Sequence, residues 1–292
     1  MRVLAGIVLY NPDLQRLRQN VSAILPQVDG IVLVDNGSMR IGEIRDDLTR
    51  QGLDPQACLV ENGRNLGIAA ALNRILDYAV RNGFDWFITL DHDSVCEQGL
   101  VDQYRIWAEQ TDELPDAGIL TCRILDRNFV AKPRYAAVDR PVEIDSCITS
   151  AAFCNTRAVR AVGGFDEKMF IDSVDFEICA NLRRHGYKIY RIPFTGLLHE
   201  VGHGKNVRLL WRRKVVYNHS ALRNYYMARN KFYMARKYPR EYPMWKVSLK
   251  EMETRLLILL YESDKRKKLA ARRQGTRDAR KGRMGECRDL PV

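Results

Sequence analysis

The stretch that decides the fold runs from Phe84 to Asp93 and reads FDWFITLDHD. Phe84–Leu90 is a short, almost wholly apolar run with aromatic and β-branched residues, the pattern of a strand buried on both faces. It closes abruptly on Asp91-His92-Asp93. Residues two apart in an extended chain point to the same side, so the carboxylates of Asp91 and Asp93 are expected to converge on one object. Two acids at the end of a buried strand need a cation to neutralise them. Magnesium, which takes one or two carboxylates together with phosphate oxygens, supplies one. The plain alternative is a loop of solvated acids that caps the next helix. D-x-D alone is a weak motif, and its place at a strand end is what raises it.

The same rhythm extends outward on the N-terminal side. Val3–Leu9 reads as a strand, Leu14–Leu25 as a helix, Ile31–Val34 as a second buried strand, Ile41–Gln51 as a helix, Cys58–Glu61 as a weak strand and Ile68–Asn82 as a well-patterned helix. Strands alternating with helices argue for a mostly parallel sheet covered on both faces, an α/β fold. Polar clusters recur where strands end, the edge at which open α/β sheets bind ligands. Asp35-Asn36-Gly37-Ser38 is one, with short side chains suited to a base or a ribose, although by itself it is more often a turn. Asn62-Gly63-Arg64-Asn65-Leu66-Gly67 opens the helix that follows, and a helix N-terminus favours phosphate. A loop plus a helix cap explains that segment equally well.

Toward the C-terminus, Leu100–Trp107 fits a helix, Gly118–Leu125 a strand, Asp126–Arg140 a loop, Ile144–Cys154 a strand or strand-turn, Thr156–Val162 a short helix, Val174–His185 a helix and Tyr187–Ile192 a strand. Beyond about Gly204 the chain becomes basic and aromatic with helical spacing over Arg208–Tyr238 and Met244–Arg273, punctuated by Pro239 and Pro243. This predicts an α/β domain over residues 1–205 and a basic helical region over 206–292. Asp172 and Asp175 are one helical turn apart, and either can serve as a general base beside an acceptor hydroxyl, or simply stabilise a helix start. His199 and His203 form a literal H-E-V-G-H, but Gly202 and Gly204 break the helix that a zinc protease needs, so the match is set aside as coincidence.

Composition sets further bounds. The 292 residues are 46% hydrophobic and 28% charged, ordinary for a globular chain rather than a disordered one. Seven cysteines without a C-x-x-C pair suggest neither a zinc ribbon nor a disulfide framework. They read as small buried residues of a reduced compartment. No signal peptide frames the N-terminus, and the apolar run Leu256–Tyr261 is too short to span a bilayer, so the expected location is cytoplasmic. A net charge of +11, concentrated between Lys265 and Arg288, points to an anionic partner. A membrane surface and a merely solvated helix face weigh about equally, and no nucleic-acid-binding signature accompanies the charge.

Taken in order, VLYNP, VDNGS, NLGIAAALN, TLDHDS, GGFDEKMFIDSVDFEIC and YYMARNKFYMARKYP resemble glycosyltransferase family 2, inverting enzymes of the GT-A fold. Within it, the bacterial rhamnosyltransferases of surface polysaccharide assembly, such as lipopolysaccharide, are the nearest likeness. The resemblance covers nearly the whole chain. It implies that Tyr10, Asn11, Pro12 and Asp35 surround the nucleotide, with Asn65 and Gly67 nearby. Asp91 would touch the ribose or the metal shell, Asp93 would carry Mg²⁺ or Mn²⁺, and His199 would approach the metal or the diphosphate. Arg208 and Arg212, with Arg213, are phosphate candidates. Asp175 stands at the family's catalytic aspartate, with Asp172 second, and Val174 departs from the glutamate common there. The Arg229-Asn230 pair matches the family text without an assigned role.

The implied donor is dTDP-L-rhamnose, with a UDP-sugar as the alternative. The implied acceptor is a lipid-linked saccharide or growing glycan at the inner membrane face, with peripheral contact to anionic lipid and an open oligomeric state. Three other classes compete. A nucleotidyltransferase would carry a basic glycine-rich loop where Tyr10-Asn11-Pro12-Asp13 stands. A non-catalytic sugar-binding module would not need Asp93 and Asp175, and a metalloprotease comes last.

Overall fold

The computed structural model describes residues 1–53, 57–109, 114–126, 139–199, 204–209, 212–287 and 290, and only the backbone of residues 125, 126, 198 and 199. The chain divides into two units, Met1–Asp166 with Asp175–Glu200, and Glu167–Val174 with Val201–Val292. The short segment Glu167–Val174 therefore groups with the C-terminal residues.

The first unit is a mixed sheet flanked by helices. Its elements are β1 (Val3–Leu9), α1 (Leu14–Ile24), β2 (Gly30–Asp35), α2 (Ile41–Arg50), β3 (Ala57–Glu61), α3 (Ile68–Arg81), β4 (Trp86–Asp91), β5 (Val95–Cys96), α4 (Leu100–Glu109), β6 (Ala117–Asp126), β7 (Val142–Ile144), β8 (Ala152–Asn155), α5 (Thr156–Ala161), α6 (Val174–Arg184) and β9 (Lys188–His199). The strand order is β3-β2-β1-β4-β8-β6-β9-β5, with β7 paired to β9. β1–β4, β6 and β9 run in one direction, while β5, β7 and β8 oppose them.

β1 is buried along its whole length. Its Gly6 lies against α3, where an added Cβ would stand 2.3 Å from the Ile75 side chain. α1 starts at Asp13, whose side chain accepts from the Arg16 amide at 2.8 Å, and it buries Leu17, Val21 and Ile24 along one stripe. The chain places β2 and β3 on one side of β1 and β4 on the other. This is a topological switch point, the place where open α/β sheets bind ligands beyond the carboxyl ends of their strands.

Several expectations need correction. Of the two readings of Ile144–Cys154, a strand or a strand-turn, the single strand is excluded: β7 ends at Ile144, and β8 begins after a turn in which Ala151 takes a left-handed φ of 61°. The strand expected to stop at Ile192 runs on to His199 through Pro193, with shifts in its register against β6. The loop read over 126–140 lies mostly outside the described residues.

The largest correction is in the second unit, where Arg208–Tyr238 is not one helix. A hairpin of β10 (Lys205–Leu209) and β11 (Arg212–Val216) precedes α7 (Ala221–Lys237), which Ser220 caps by accepting from the Arg223 amide at 3.2 Å. β-Branched Val207, Val215 and Val216 suit a strand, and the cross-strand pairing from Lys205–Val216 to Leu209–Arg212 fixes the ribbon. Met244–Arg273 is likewise two helices, α8 (Met244–Tyr261) and α9 (Lys265–Lys281). The break falls where Glu262 is extended and Asp264 is left-handed at φ 49°. α7 and α9 approach closely because residue 275 is glycine, where a Cβ would meet the Tyr225 carbonyl oxygen at 2.4 Å.

Candidate active site

Four loops follow the carboxyl ends of β1–β4, and short polar side chains tie the first three together. The Asp35 carboxylate, 2% exposed, accepts from the amides of Gly37 (2.9 Å) and Ser38 (3.0 Å) and so shapes the turn after β2. The loop after β1 is joined to that turn twice: the Asn11 amide donates to Ser38 Oγ at 2.8 Å, and the Met39 amide donates to Asn11 Oδ1 at 2.9 Å. The loop after β3 is tied in by a chain of amides. Asn36 donates to Asn65 (3.0 Å), Asn62 donates to Asn36 (3.1 Å), and the Leu66 amide donates to Asn36 Oδ1 (3.0 Å). Gly37 is required here, since a Cβ would sit 2.5 Å from the Arg64 backbone at φ 87°. Gly67 at φ 88° leads into α3, its amide held by Asn65 Oδ1 at 2.9 Å. Tyr10 is exposed beside this cluster and Pro12 is half-buried.

The fourth loop carries Asp91-His92-Asp93, and here the extended-chain expectation fails. β4 ends at Asp91, and the Ser94 amide donates to the Asp91 carbonyl at 3.1 Å, so His92 and Asp93 form a turn rather than a continued strand. Asp91 is half-buried and Asp93 exposed. Asn20, fully buried on α1, donates to the Asp91 carbonyl at 2.6 Å and fixes the strand end. Ser94 is also fully buried, its hydroxyl 2.8 Å from that of Ser150. After it, β5 pairs with β9 through Val95 and Leu198, which brings the backbone of His199 beside the same turn; its side chain lies outside the described residues.

Asp175 is linked to this assembly through the turn between β7 and β8. It opens α6, half-buried, and lines a small gap with Cys147, Thr149, Cys154 and Phe165. That turn is bound to β4 by the Thr89 hydroxyl donating to the Thr149 carbonyl and by the Ala151 amide donating to the Thr89 carbonyl at 2.8 Å. Its neighbour Cys179 and burial both push the Cys147 thiol well up, and burial does the same to Cys154, which favours the neutral thiol at both. Asn73 of α3 pairs twice with the Phe165 backbone, at 2.9 and 2.8 Å, and a Cβ on Gly164 would stand 2.6 Å from its Oδ1.

Asp172 belongs to the second unit. Burial raises its carboxyl above the usual range against the opposing pull of Arg223, whose guanidinium lies 3.4 Å away. Its loop is unusual, with Phe170, Asp172 and Ser173 all at positive φ. Two neighbours on α7 hold it. Arg229 donates to the carbonyls of Lys168 (3.2 Å), Met169 (2.8 Å) and Gly285 (2.5 Å), and Asn230 donates to those of Met169 (2.9 Å), Ile171 (2.7 Å) and Asp172 (2.7 Å). The pair without a role in the sequence is a loop clamp. Arg208 and Arg212 stand exposed on the β10–β11 hairpin, not on a helix.

Asn20, Thr89 and Ser150 escaped the sequence reading, because a lone asparagine on an apolar helix face, a threonine in a strand and a serine in a turn carry no pattern. Among the described residues no three histidine, cysteine or carboxylate side chains gather into a metal cluster. The donor set at Asp91 and Asp93 suits a hard cation that completes its shell with phosphate oxygens. No helix among the described residues is long and apolar enough to cross a membrane.

Residues 5–114 match the family model described as glycosyl transferase family 2. Over 245 residues, 80% of this chain and 80% of the relative, the sequence is 26% identical to the dTDP-rhamnosyl transferase RfbF of Shigella flexneri. The fold is similar to that of S. aureus TarS 1-349 in complex with UDP-GlcNAc, with a TM-score of 0.59, 11% identity, and coverage of 97% of this chain and 92% of that one. A longer TarS chain is covered over 37% of its length. The mannosyltransferase PcManGT from Pyrobaculum calidifontis, in complex with GDP-Man and Mn2+, matches at a TM-score of 0.57 and 16% identity, over 96% of this chain and 75% of that one.

Proposed function

From the premise that the chain is a glycosyltransferase with a family 2 domain in a GT-A fold, we propose that it transfers L-rhamnose from dTDP-L-rhamnose to a saccharide acceptor with inversion at the anomeric carbon. The observation that carries this reading is the tie between the Asn11 loop and the Asp35 turn at the switch point, beside which β4 pairs with β1 as far as Asp91. The likeness to a dTDP-rhamnosyl transferase favours the donor. In this reading residues 1–205 bind donor and acceptor, and residues 206–292 form a basic appendage. The acceptor is a lipid-linked saccharide or growing glycan.

The chemistry follows from charge and position. Tyr10, Asn11, Pro12 and Asp35 flank the nucleoside, with Asn65 and Gly67 beside it at the start of α3, whose N-terminal amides favour a phosphate. Asp93 and Asp91, with His199, would hold Mg²⁺ or Mn²⁺. When bound, the ion stabilises the negative charge that develops on the diphosphate. Asp175 takes the proton of the acceptor hydroxyl, and that oxygen attacks the anomeric carbon on the face away from the diphosphate. The bond to the diphosphate breaks, and its electron pair departs with the leaving group. Asp172, whose burial makes its carboxyl more basic, is the second candidate base.

The test is a panel of nucleotide sugars with Mg²⁺ or Mn²⁺, read by released nucleoside diphosphate, on wild type and Asp175→Asn. Turnover of dTDP-rhamnose is expected, together with a loss of about 10²–10⁴-fold in the variant while nucleotide binding is kept. Near-normal turnover by Asp175→Asn would remove it as the base. A response to a UDP-sugar alone would remove the rhamnose assignment.

A further inference from the structure

α8 carries two unlike faces. Val247, Glu251 and Ile258 point inward and are buried. On the outer side Trp245, Leu249, Met252, Leu256, Leu259 and Leu260 are all exposed, Trp245 by 66% and Met252 by 67%. At 3.6 residues per turn these six cover an arc of about 100°, and no other residue of the helix projects within it. The stripe is thus wholly apolar and runs about 22 Å along an 18-residue helix. Singly exposed apolar side chains are ordinary, but a continuous stripe of this length marks a surface that meets something.

What lies beside the stripe is basic. On one side, Met252 and Arg255 share a groove of about 410 Å³ with Arg273, Arg277 and Arg280 of α9. Those three are exposed at i, i+4 and i+7, and none has an acidic partner among the described residues. On the other side, Glu253 of α8 forms an ion pair with Lys214, and the Tyr261 hydroxyl donates to the Arg208 carbonyl. These contacts bring up the β10–β11 hairpin with its exposed Lys205, Arg208, Arg212 and Arg213.

We infer that this face is a docking surface for an anionic lipid bilayer, with α8 lying in the plane of the interface. An apolar stripe between two basic borders, with a tryptophan at one end, is the pattern of an interfacial helix. A second copy of the chain fits less well. Pairing the stripes about a two-fold axis sets arginine rows against each other or against the flank of Lys246 and Lys250, basic against basic in either case. The surface stands apart from the sugar-transfer reading, because vesicle binding is measured without donor.

The experiment is co-sedimentation of the full chain with phosphatidylcholine vesicles, with and without phosphatidylglycerol. Binding to the anionic vesicles alone is expected, weakening with salt and accompanied by a blue shift that Trp245→Phe removes. Each guanidinium near the surface contributes about fivefold, so Arg273→Gln/Arg277→Gln/Arg280→Gln should weaken binding about 100-fold. Met252→Gln/Leu256→Gln, both at exposed positions, should abolish insertion with an unchanged circular dichroism spectrum. Absence of binding at low salt, or equal binding by wild type and both variants, would overturn the inference. So would a dimer that Met252→Gln/Leu256→Gln dissociates, which would give the stripe to a second copy.

Discussion

Replacing Asn230 by alanine tests whether α7 holds the 167–174 segment in place. The side chain is fully buried, donates to three carbonyls at 2.7–2.9 Å and accepts from Arg229 Nε at 3.0 Å. Alanine leaves these groups without that partner, and each buried polar group so stranded costs about 1–3 kcal/mol. The sum has a ceiling. Phe170, Asp172 and Ser173 sit at positive φ, a conformation costing non-glycine residues about 1–3 kcal/mol each, so the segment recovers strain by letting go. The balance is a destabilisation of about 2–4 kcal/mol, with the loop released rather than the helix lost. Urea unfolding should show a lower midpoint at unchanged slope, and trypsin should cleave faster at Lys168 under native conditions. A change within about 0.5 kcal/mol together with an unaltered cleavage rate would refute the clamp, because it would mean that the carbonyls find other partners.

Two other changes test the electrostatics of the second unit. Burial pushes the Glu251 carboxyl up, but the Arg272 guanidinium, with Nε at 2.9 Å, wins and holds it below its usual value of 4.5. Its contribution is therefore present above that value and is lost as pH falls through the folded pKa. Glu251→Ala, which strands a fully buried Arg272, should cost about 3–5 kcal/mol in denaturant unfolding at pH 7, while replacing both partners by leucine should cost far less. Asp172 runs the other way. Its folded pKa lies above the usual 3.8, so its contribution is present below 3.8 and is lost as pH rises through the folded value. Asp172→Asn should accordingly be at least as stable as wild type at pH 7, with the gap closing as pH falls toward 3.8; a gap that widens on acidification would contradict the burial argument.

Legibility differed sharply between the two units. Strands β1, β2 and β3 and helices α1, α2 and α3 were readable to within a residue or two, because β1 and β2 are continuous apolar runs, the helices carry one apolar stripe each, and polar or glycine-bearing turns separate them. The hairpin after Gly204 was not. Its basic side chains suit a helix face as well as a ribbon, and only pairing between Arg208 and Arg213 across the turn separates the two. The α8–α9 break was hidden for a similar reason, since no glycine or proline marks Glu262–Asp264.

The candidate site shows the same divide. Asp35, Asp91 and Asp93 stood out as candidates because acids and short polar residues at strand ends form a local pattern, and Asp175 because of its motif at a helix start. Asn20, Ser150 and the function of Arg229-Asn230 were not, because their partners lie 71, 56 and about 60 residues away in the chain. The linear text thus determined the alternation of elements, the polar strand ends and the family likeness, all of which rest on local periodicity and short motifs. Tertiary structure alone decided that β4 joins β1 at a switch point, that the Asp91–Asp93 acids form a turn rather than a strand, and that α8 turns an apolar stripe outward. Each of those outcomes depends on which distant groups satisfy one another's hydrogen bonds and bury one another's surface, and no window of sequence contains both partners.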